Sequence, residues 1–359
     1  MELPDPEQFK FKDVTIAGDE CYLITPNGMG TDWTDDNAHF RSCIITKNDH
    51  RVVSLGFKKF TNIFEKPDFQ PWNSEWNFTA RRKIDGSLLC ISKYKGELIT
   101  RTRGTQSVRT LPNGYEIDFL MGEYPKVFDN EHLDSEDWSI LVEWTTPTNI
   151  ICLREHEEPT LTLLGMISHQ TLNYETQKHM DYLGNLWDIP RPEAYEYTSL
   201  EECINDVKMW EGKEGLIIYS PDEGTLKKIK ADLYLKIHKL ATGIRNISNV
   251  LDVFMESPRS YKYEYFKKFI EDTMDYEIAL KVDEDIHKIT EAYGKFIHSV
   301  NTIERAMEYI SKLDSRKKQA MAIQEHWDGF MIPVGFSLLD NKPLDDKLVK
   351  KSMEKLLNL

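Results

Sequence analysis

Lys83-Ile84-Asp85-Gly86-Ser87 lies between two runs with strand character, Trp76-Asn77-Phe78-Thr79-Ala80 before it and Leu88-Leu89-Cys90-Ile91-Ser92 after it. Asp-Gly between two such runs is a strong hairpin signal, because both residues accept the backbone of a tight two-residue turn. The same residues also set a lysine amine beside a glycine, where a missing Cβ lets another group approach closely. Taken alone, the pentapeptide reads more readily as a plain turn than as a reactive lysine, since short motifs often mislead. The rest of the chain separates the two.

The chain has 359 residues, enough for about two domains at roughly 150 residues each. Its 40% hydrophobic and 29% charged residues fit packed globular cores and exclude a disordered polymer. No apolar run approaches the roughly 20 residues of a membrane span. The start, Met1-Glu2-Leu3-Pro4-Asp5-Pro6, lacks the basic and apolar regions of a signal peptide, so a cytoplasmic location is expected. Cys21, Cys43, Cys90, Cys152 and Cys203 are odd in number and widely spaced, which predicts reduced, buried thiols. His169 and His179 lack the spacing of a helical ligand pair, and no structural metal site is expected.

The net charge of −15 argues against a nucleic-acid partner at first sight. Local field matters more than the total, however. Residues 81–109 hold Arg81, Arg82, Lys83, Lys93, Lys95, Arg101, Arg103 and Arg109 against Asp85 and Glu97. Lys227, Lys228, Lys230, Lys236 and Lys239 stand against Asp232 alone. Two basic runs in an acidic chain point to a phosphate-bearing ligand held at one place; the alternative is a solvated charged surface.

Along residues 13–60 short β-like runs alternate with turns, and Cys43-Ile44-Ile45-Thr46 with Val52-Val53-Ser54-Leu55 predicts a hairpin around 47–50. Lys95-Gly96 predicts another. Trp138 to Trp144 reads as a strand, Pro147 breaks it, and Ile150-Ile151-Cys152-Leu153 and Leu161-Thr162-Leu163-Leu164 read as two more. A helix is predicted over 200–211, with Ser199 and Glu202 as a capping box and Gly212 as its stop. Strand character returns at Gly215–Tyr219 and again from Leu226 to Ile237. From about 241 the spacing turns helical: Val282, Ile286, Ile289, Tyr293, Phe296, Ile297 and Val300, then Ile303, Ala306, Met307, Ile310 and Leu313. A break is expected around Gly329 to Gly335. The fold class is therefore α+β, with a mainly antiparallel domain over 1–240 and an all-helical domain over 241–359.

Further polar residues stand where strand patterning does not require them. Arg41 precedes the first hairpin, and Lys59 opens Lys59-Phe60-Thr61-Asn62. Glu143 lies in the run from Leu141 to Asn149, and Glu214 opens Glu214-Gly215-Leu216-Ile217. Lys228 and Lys230 share a face if 228–230 is a strand. Singly, each could be a surface charge or, for the lysine pair, a protected sheet edge. Their order is more telling. Lys-x-Asp-Gly, a strand Glu, Glu-Gly before an apolar strand, and Lys-x-Lys resembles the signature of covalent nucleotidyltransferases, the superfamily of polynucleotide ligases and messenger-RNA capping enzymes.

Within that superfamily the chain most resembles the RNA ligase 1 family of T-even-like bacteriophages. Ser87 follows Gly86, where DNA ligases and capping enzymes usually carry an Arg soon after. Lys59-Phe60-x-Asn62 is similar to that family's Lys-Phe-Phe-Asn, and Glu143 with Pro147-Thr148-Asn149 to its Glu and Pro-Thr-Asn segment. Lys228-Ile229-Lys230, with Tyr234 and His238 following, is similar to its Lys-Ile-Lys segment. Ile84 and Thr61 depart from the family pattern and leave substrate preference open.

The resemblance implies an ATP- and Mg²⁺-dependent RNA ligase. Lys83 would attack the α-phosphate of ATP to give lysyl-AMP, the AMP would pass to an RNA 5′-phosphate, and a 3′-hydroxyl would displace it. Lys228, Lys230, Arg41 and Lys59 would face nucleotide phosphates. Glu143 and Glu214 would hold the metal, or one of them the ribose. Asp85 and Gly86 would shape the turn, and cationic Lys228 and Lys230 with a bound Mg²⁺ would favour the neutral Lys83 amine. A stacking partner for adenine is expected; Trp144 is a candidate, though it reads better as a core residue. The resemblance further implies a monomer acting in RNA repair, in the cytoplasm of an infected host if phage-encoded, with the helical tail recognising a folded RNA such as tRNA. The residues alone leave open a DNA ligase, a capping-type guanylyltransferase and a nonenzymatic nucleic-acid-binding protein, the last resting on the basic runs.

Overall fold

The computed structural model describes residues 2–27, 31–65, 68–148, 151–153, 155–241, 246–273, 282–327 and 329–359. The chain divides into two compact units, Met1–Tyr234 and Leu235–Leu359. The first is built on three sheets. Strands β1 (Phe9–Ile16), β2 (Asp19–Pro26), β3 (Cys43–Thr46) and β4 (Val52–Leu55) form an antiparallel meander. A second antiparallel sheet has the order β10-β9-β7-β8, from β7 (Ser87–Tyr94), β8 (Glu97–Arg101), β9 (Trp138–Thr145) and β10 (Thr160–Ser168). The third has the order β11-β6-β12-β13-β5. It holds β5 (Thr61–Asn62), β6 (Thr79–Lys83), β11 (Ala194–Tyr195), β12 (Gly215–Tyr219) and β13 (Leu226–Lys230), with one parallel pairing, β13 to β5.

Period-2 alternation assigns the faces of the second sheet. Leu89, Ile91, Ile140, Val142 and Trp144 form one core with Ile117, Leu120, Met180 and Leu183. These partners come from α1 (Glu116–Glu123) and α4 (Gln177–Trp187). Cys90 and Leu141 point the other way, into a core shared with Ile24, Cys43, Ile45 and Leu55 of the meander. A separate core lies between the third sheet and α5 (Leu200–Lys208), through Leu200, Cys203, Val207, Leu216, Ile218 and Ile229.

Both predicted hairpins at 43–55 and 95–96 form, the latter with Lys95 and Gly96 at φ +47° and +79°. The Asp85-Gly86 hairpin does not. The strand before it is Thr79–Lys83, and it belongs to the third sheet while β7 belongs to the second. Residues 84–86 are thus a corner between sheets. Residues 151–153 form a bend rather than the expected strand, and Ile150 lies outside the described residues. The predicted run Leu226–Ile237 splits at Ala231: β13 ends at Lys230 and α6 (Asp232–Ala241) begins two residues later. Ser199 caps α5 by accepting from Glu202 N, but the helix stops at Lys208, short of Gly212.

The second unit is helical in its described residues. Both hydrophobic stripes belong to one 28-residue helix, Asp283–Ile310, which buries Ile286, Ile289, Phe296, Val300, Ile303 and Ile310. The expected break at Gly329 to Gly335 falls earlier, after the helix Arg316–His326. Helix Met331–Leu339 carries Pro333 in its first turn, where no intrahelical N–H bond is lost, and runs through Gly335. All five cysteines are free and buried. Among the described residues no helix is long and apolar enough to cross a membrane.

Candidate active site

Lys83 is the last residue of β6 and pairs with Gly215 of β12, which pairs on its other side with Lys230 of β13. Register partners project to one face, so the two lysines flank a position without a side chain. Gly215 has φ +148°, and a Cβ there would fall 2.0 Å from the Ile229 carbonyl oxygen, so only glycine fits. The preceding residue, Glu214, is 2% exposed. Its Oε2 accepts from Lys83 Nζ at 2.6 Å and its Oε1 pairs with Lys230 Nζ at 2.8 Å. Lys230 also lies 4.8 Å over the Tyr234 ring.

Glu143 sits on β9 opposite Leu88, on the face away from the α1/α4 core. It is 8% exposed, and burial pushes its carboxyl up to about 8; Lys83 opposes the shift, while Glu214 and Asp85 add to it. Trp144, one residue on, necessarily faces the opposite way. It is 2% exposed and donates from Nε1 to Glu116 at 3.1 Å, so it belongs to the core and not to a nucleotide surface.

Asp85 does more than shape a turn. Its Oδ2 accepts from the backbone N–H groups of Cys152 and Leu153, both at 2.8 Å, and its Oδ1 accepts from the Tyr234 hydroxyl at 2.7 Å. Burial and Glu214 raise its carboxyl above the usual range against these bonds. At Gly86 the corner touches β9: a Cβ would stand 2.7 Å from the Trp144 carbonyl oxygen and 3.0 Å from Glu143 Cγ.

The protein's own groups around Lys83 do not by themselves favour the neutral amine. Burial favours the neutral form, but Glu214, with Glu143 behind it, outweighs burial and lifts the ammonium above its ordinary value. Lys83 is therefore held charged. Lys228 is depressed, brought down to about 8 by burial and then by Arg41, Lys230 and Lys59, and burial lowers Lys59 as well. Arg41 and Lys228 both lie against Phe60, at 5.5 and 5.8 Å from its centroid, and Lys59 lies 5.9 Å over Trp33. Among the described residues the charged ends of Arg41, Lys59 and Lys228 have no carboxylate within ion-pair distance, so they can still meet an anion.

The two basic runs as wholes do not converge. Arg81 pairs with Asp181, Arg82 with Glu155, Lys93 with Asp134, Lys95 with Asp19 and Arg109 with Asp118. Arg101 is fully buried, donating to Ser54 and Ser42, so it cannot track an RNA backbone. Lys227 is also fully buried and pairs with Asp68, and Lys236 with Glu256. Sequence reading passed over Glu155, Glu116 and Phe60 as separate contributors. Tyr234 stood in the Lys-Ile-Lys segment, but nothing in the sequence marked Glu155 or Glu116, whose partners are remote along the chain.

The chain is 30% identical over 219 residues to a protein of Autographa californica nuclear polyhedrosis virus described as a bifunctional polynucleotide kinase/RNA ligase. That match covers 55% of this chain and 30% of the viral protein, so the chain spans under a third of that relative's length. An archaeal ATP-dependent RNA ligase structure is similar at TM-score 0.45 and 12% identity, over 88% of this chain and 82% of the other. A Naegleria gruberi RNA ligase mutant solved with ATP and Mn is similar at TM-score 0.39 and 11% identity, over 46% of this chain and 53% of the other. A family model of the T4 RNA ligase 1 type, described as RNA ligase, matches residues 39–240, and the chain belongs to that family.

Proposed function

We propose that the chain seals RNA ends with ATP, through lysyl-AMP on Lys83 and an adenylylated RNA 5′ end. The observation that carries this reading is the meeting of Lys83, Glu214 and Lys230 on one carboxylate, with Glu143 beside it, inside the segment matched by the RNA ligase family. In the first step Lys83 Nζ forms a bond to the α-phosphorus of ATP, the bond to the β-phosphate oxygen breaks, and pyrophosphate leaves. The AMP then moves to the 5′-phosphate of RNA, and a 3′-hydroxyl displaces AMP to close the phosphodiester. Arg41, Lys59 and Lys228 hold the nucleotide phosphates, whose developing charge they meet with fixed cations.

The residues also fit a divalent cation. Glu214 and Asp85 raise the proton affinity of Glu143, Glu214 raises that of Asp85, and Asp85 is engaged by Tyr234 and two backbone N–H groups. Glu143 and Glu214 would supply oxygen ligands of the type Mg²⁺ prefers, Glu214 in exchange for its bonds to Lys83 and Lys230. When bound there, Mg²⁺ supplies positive charge that competes with Lys83 for Glu214, favouring the neutral amine and neutralising phosphate.

The helical unit serves RNA recognition, tRNA included, and the chain acts in RNA repair within the cytoplasm of an infected cell. The test is incubation with α-labelled ATP and Mg²⁺ followed by a denaturing gel. A band that survives denaturation and vanishes in Lys83→Ala is expected. Absence of a band, or labelling by GTP in preference to ATP, overturns the reading.

A further inference from the structure

The corner Ile84-Asp85-Gly86 lies between strands of two different sheets, so no ladder holds it. Its fixation comes from side chains, and one carboxylate grips it on both sides of Lys83. Glu155 Oε1 accepts from the Asp85 backbone N–H at 3.2 Å, and Glu155 Oε2 accepts from the Arg82 guanidinium at 2.7 Å. The Glu155 side chain is 3% exposed. The grip is reciprocal: Asp85 in turn takes the N–H groups of Cys152 and Leu153, three and two residues before Glu155. Two carboxylates thus clasp two segments, each holding the other's backbone.

Strand alternation puts the Arg82 side chain on the face of β6 opposite Lys83. Glu155 therefore holds the corner from behind while Glu214 meets the Lys83 amine in front. Among the described residues Glu155 makes no bond to Lys83 itself. From this geometry we infer that Glu155 is a positioning residue for Lys83, acting through Arg82 and the Asp85 N–H to fix where the amine projects. The inference rests on the proposed lysyl-AMP chemistry.

A positioning role for the nucleophile predicts an effect confined to the step in which Lys83 attacks. Sealing of a pre-adenylylated RNA strand forms the bond from the 3′-hydroxyl oxygen to the 5′-phosphorus and releases AMP, with no bond made by Lys83. Single-turnover rates of adenylylation at saturating ATP, and of sealing of pre-adenylylated RNA without ATP, are measured for wild type, Glu155→Ala and Glu155→Gln. Glu155→Ala removes both contacts and slows adenylylation by about tenfold or more, since a displacement of about 1 Å costs up to 100-fold. Glu155→Gln keeps an acceptor for Asp85 N–H but loses the ion pair, and slows adenylylation by about threefold. Both variants seal pre-adenylylated RNA within about twofold of wild type.

Wild-type adenylylation in either soluble variant overturns the inference. So does an equal loss in both reactions, which marks a merely structural residue. Should Glu155→Ala fail to fold, Glu155→Gln decides by the same comparison. A wild-type protein that takes no label from ATP instead removes the function proposed above, an outcome visible before any variant is made.

Discussion

Replacing Gly86 by alanine tests whether the corner transmits its position to the amine. The new Cβ would stand 2.7 Å from the Trp144 carbonyl oxygen, 2.9 Å from Thr145 Cγ2 and 3.0 Å from Glu143 Cγ. Ordinary contact begins at 3.4 Å, so the corner and β9 must separate by about 0.7 Å. β9 cannot yield easily. It is a central strand paired on both sides, and the Trp144 indole is tied to Glu116. The corner moves instead. Overpacking of this kind costs about 1–3 kcal/mol, a melting-temperature fall of roughly 2–10 °C for a unit of this size. The same displacement shifts Lys83 from Glu143 and slows adenylylation by about 10- to 100-fold. Scanning calorimetry and single-turnover labelling with ATP measure the two effects. Gly104→Ala is the control, because a Cβ there meets nothing within 4 Å. A Gly86→Ala protein that melts lower yet adenylylates at the wild-type rate refutes the coupling of corner to amine. One that matches wild type in both refutes the packing argument as well.

Glu143 titrates in the opposite sense to a stabilising carboxylate. Its folded value is raised to about 8 from 4.5, so the folded chain binds the extra proton and stability falls as pH rises from about 4.5 to 8. Glu143→Gln removes that dependence, so urea melts at pH 5 and pH 8 should show the variant gaining on wild type at the higher pH; an unchanged difference refutes the assignment. His39 and His169, both pushed down to about 4 by burial, give the contrary slope, with stability lost as pH falls from 6.5 toward 4, and they act alike in both proteins. Arg101→Ala strands several buried acceptors at Ser42 and Ser54 and should cost about 3 kcal/mol or more in urea unfolding. Exposed Arg103→Ala should stay within about 0.5 kcal/mol. Deleting residues 241–359 should spare reaction with ATP while changing which RNA is sealed; loss of labelling in a folded truncation would assign the tail to the catalytic unit instead.

What could be read from the sequence was what local chemistry determines. Tight turns such as Lys95-Gly96 announced themselves because few residues adopt positive φ, and the long stripe from Ile286 to Ile310 because only one period buries it. The order of Lys83, Glu143, Glu214 and Lys228-x-Lys230 could be read because each stands in or next to a strand where patterning alone asks for nothing charged. Asp85-Gly86 was misread as a hairpin because both strands it joins are real, and sequence does not say that they enter different sheets. The basic runs misled for a related reason. Counting charges along the chain ignores partners such as Asp181, Glu155 and Asp118, which come from 9 to 100 residues away.

The protonation of Lys83 shows the deeper limit. From the sequence, two nearby lysines favoured a neutral nucleophile; in the fold one of them, Lys230, shares a carboxylate with Lys83, and that carboxylate decides the charge. Two cations on one buried Glu214 leave the site poised rather than active. An amine so held is a poor nucleophile, and this protects a buried lysine from unspecific reaction. On the proposed mechanism it becomes reactive when positive charge from elsewhere competes for Glu214. The chemistry is therefore conditional on what binds, a property that belongs to the pair and to neither residue alone.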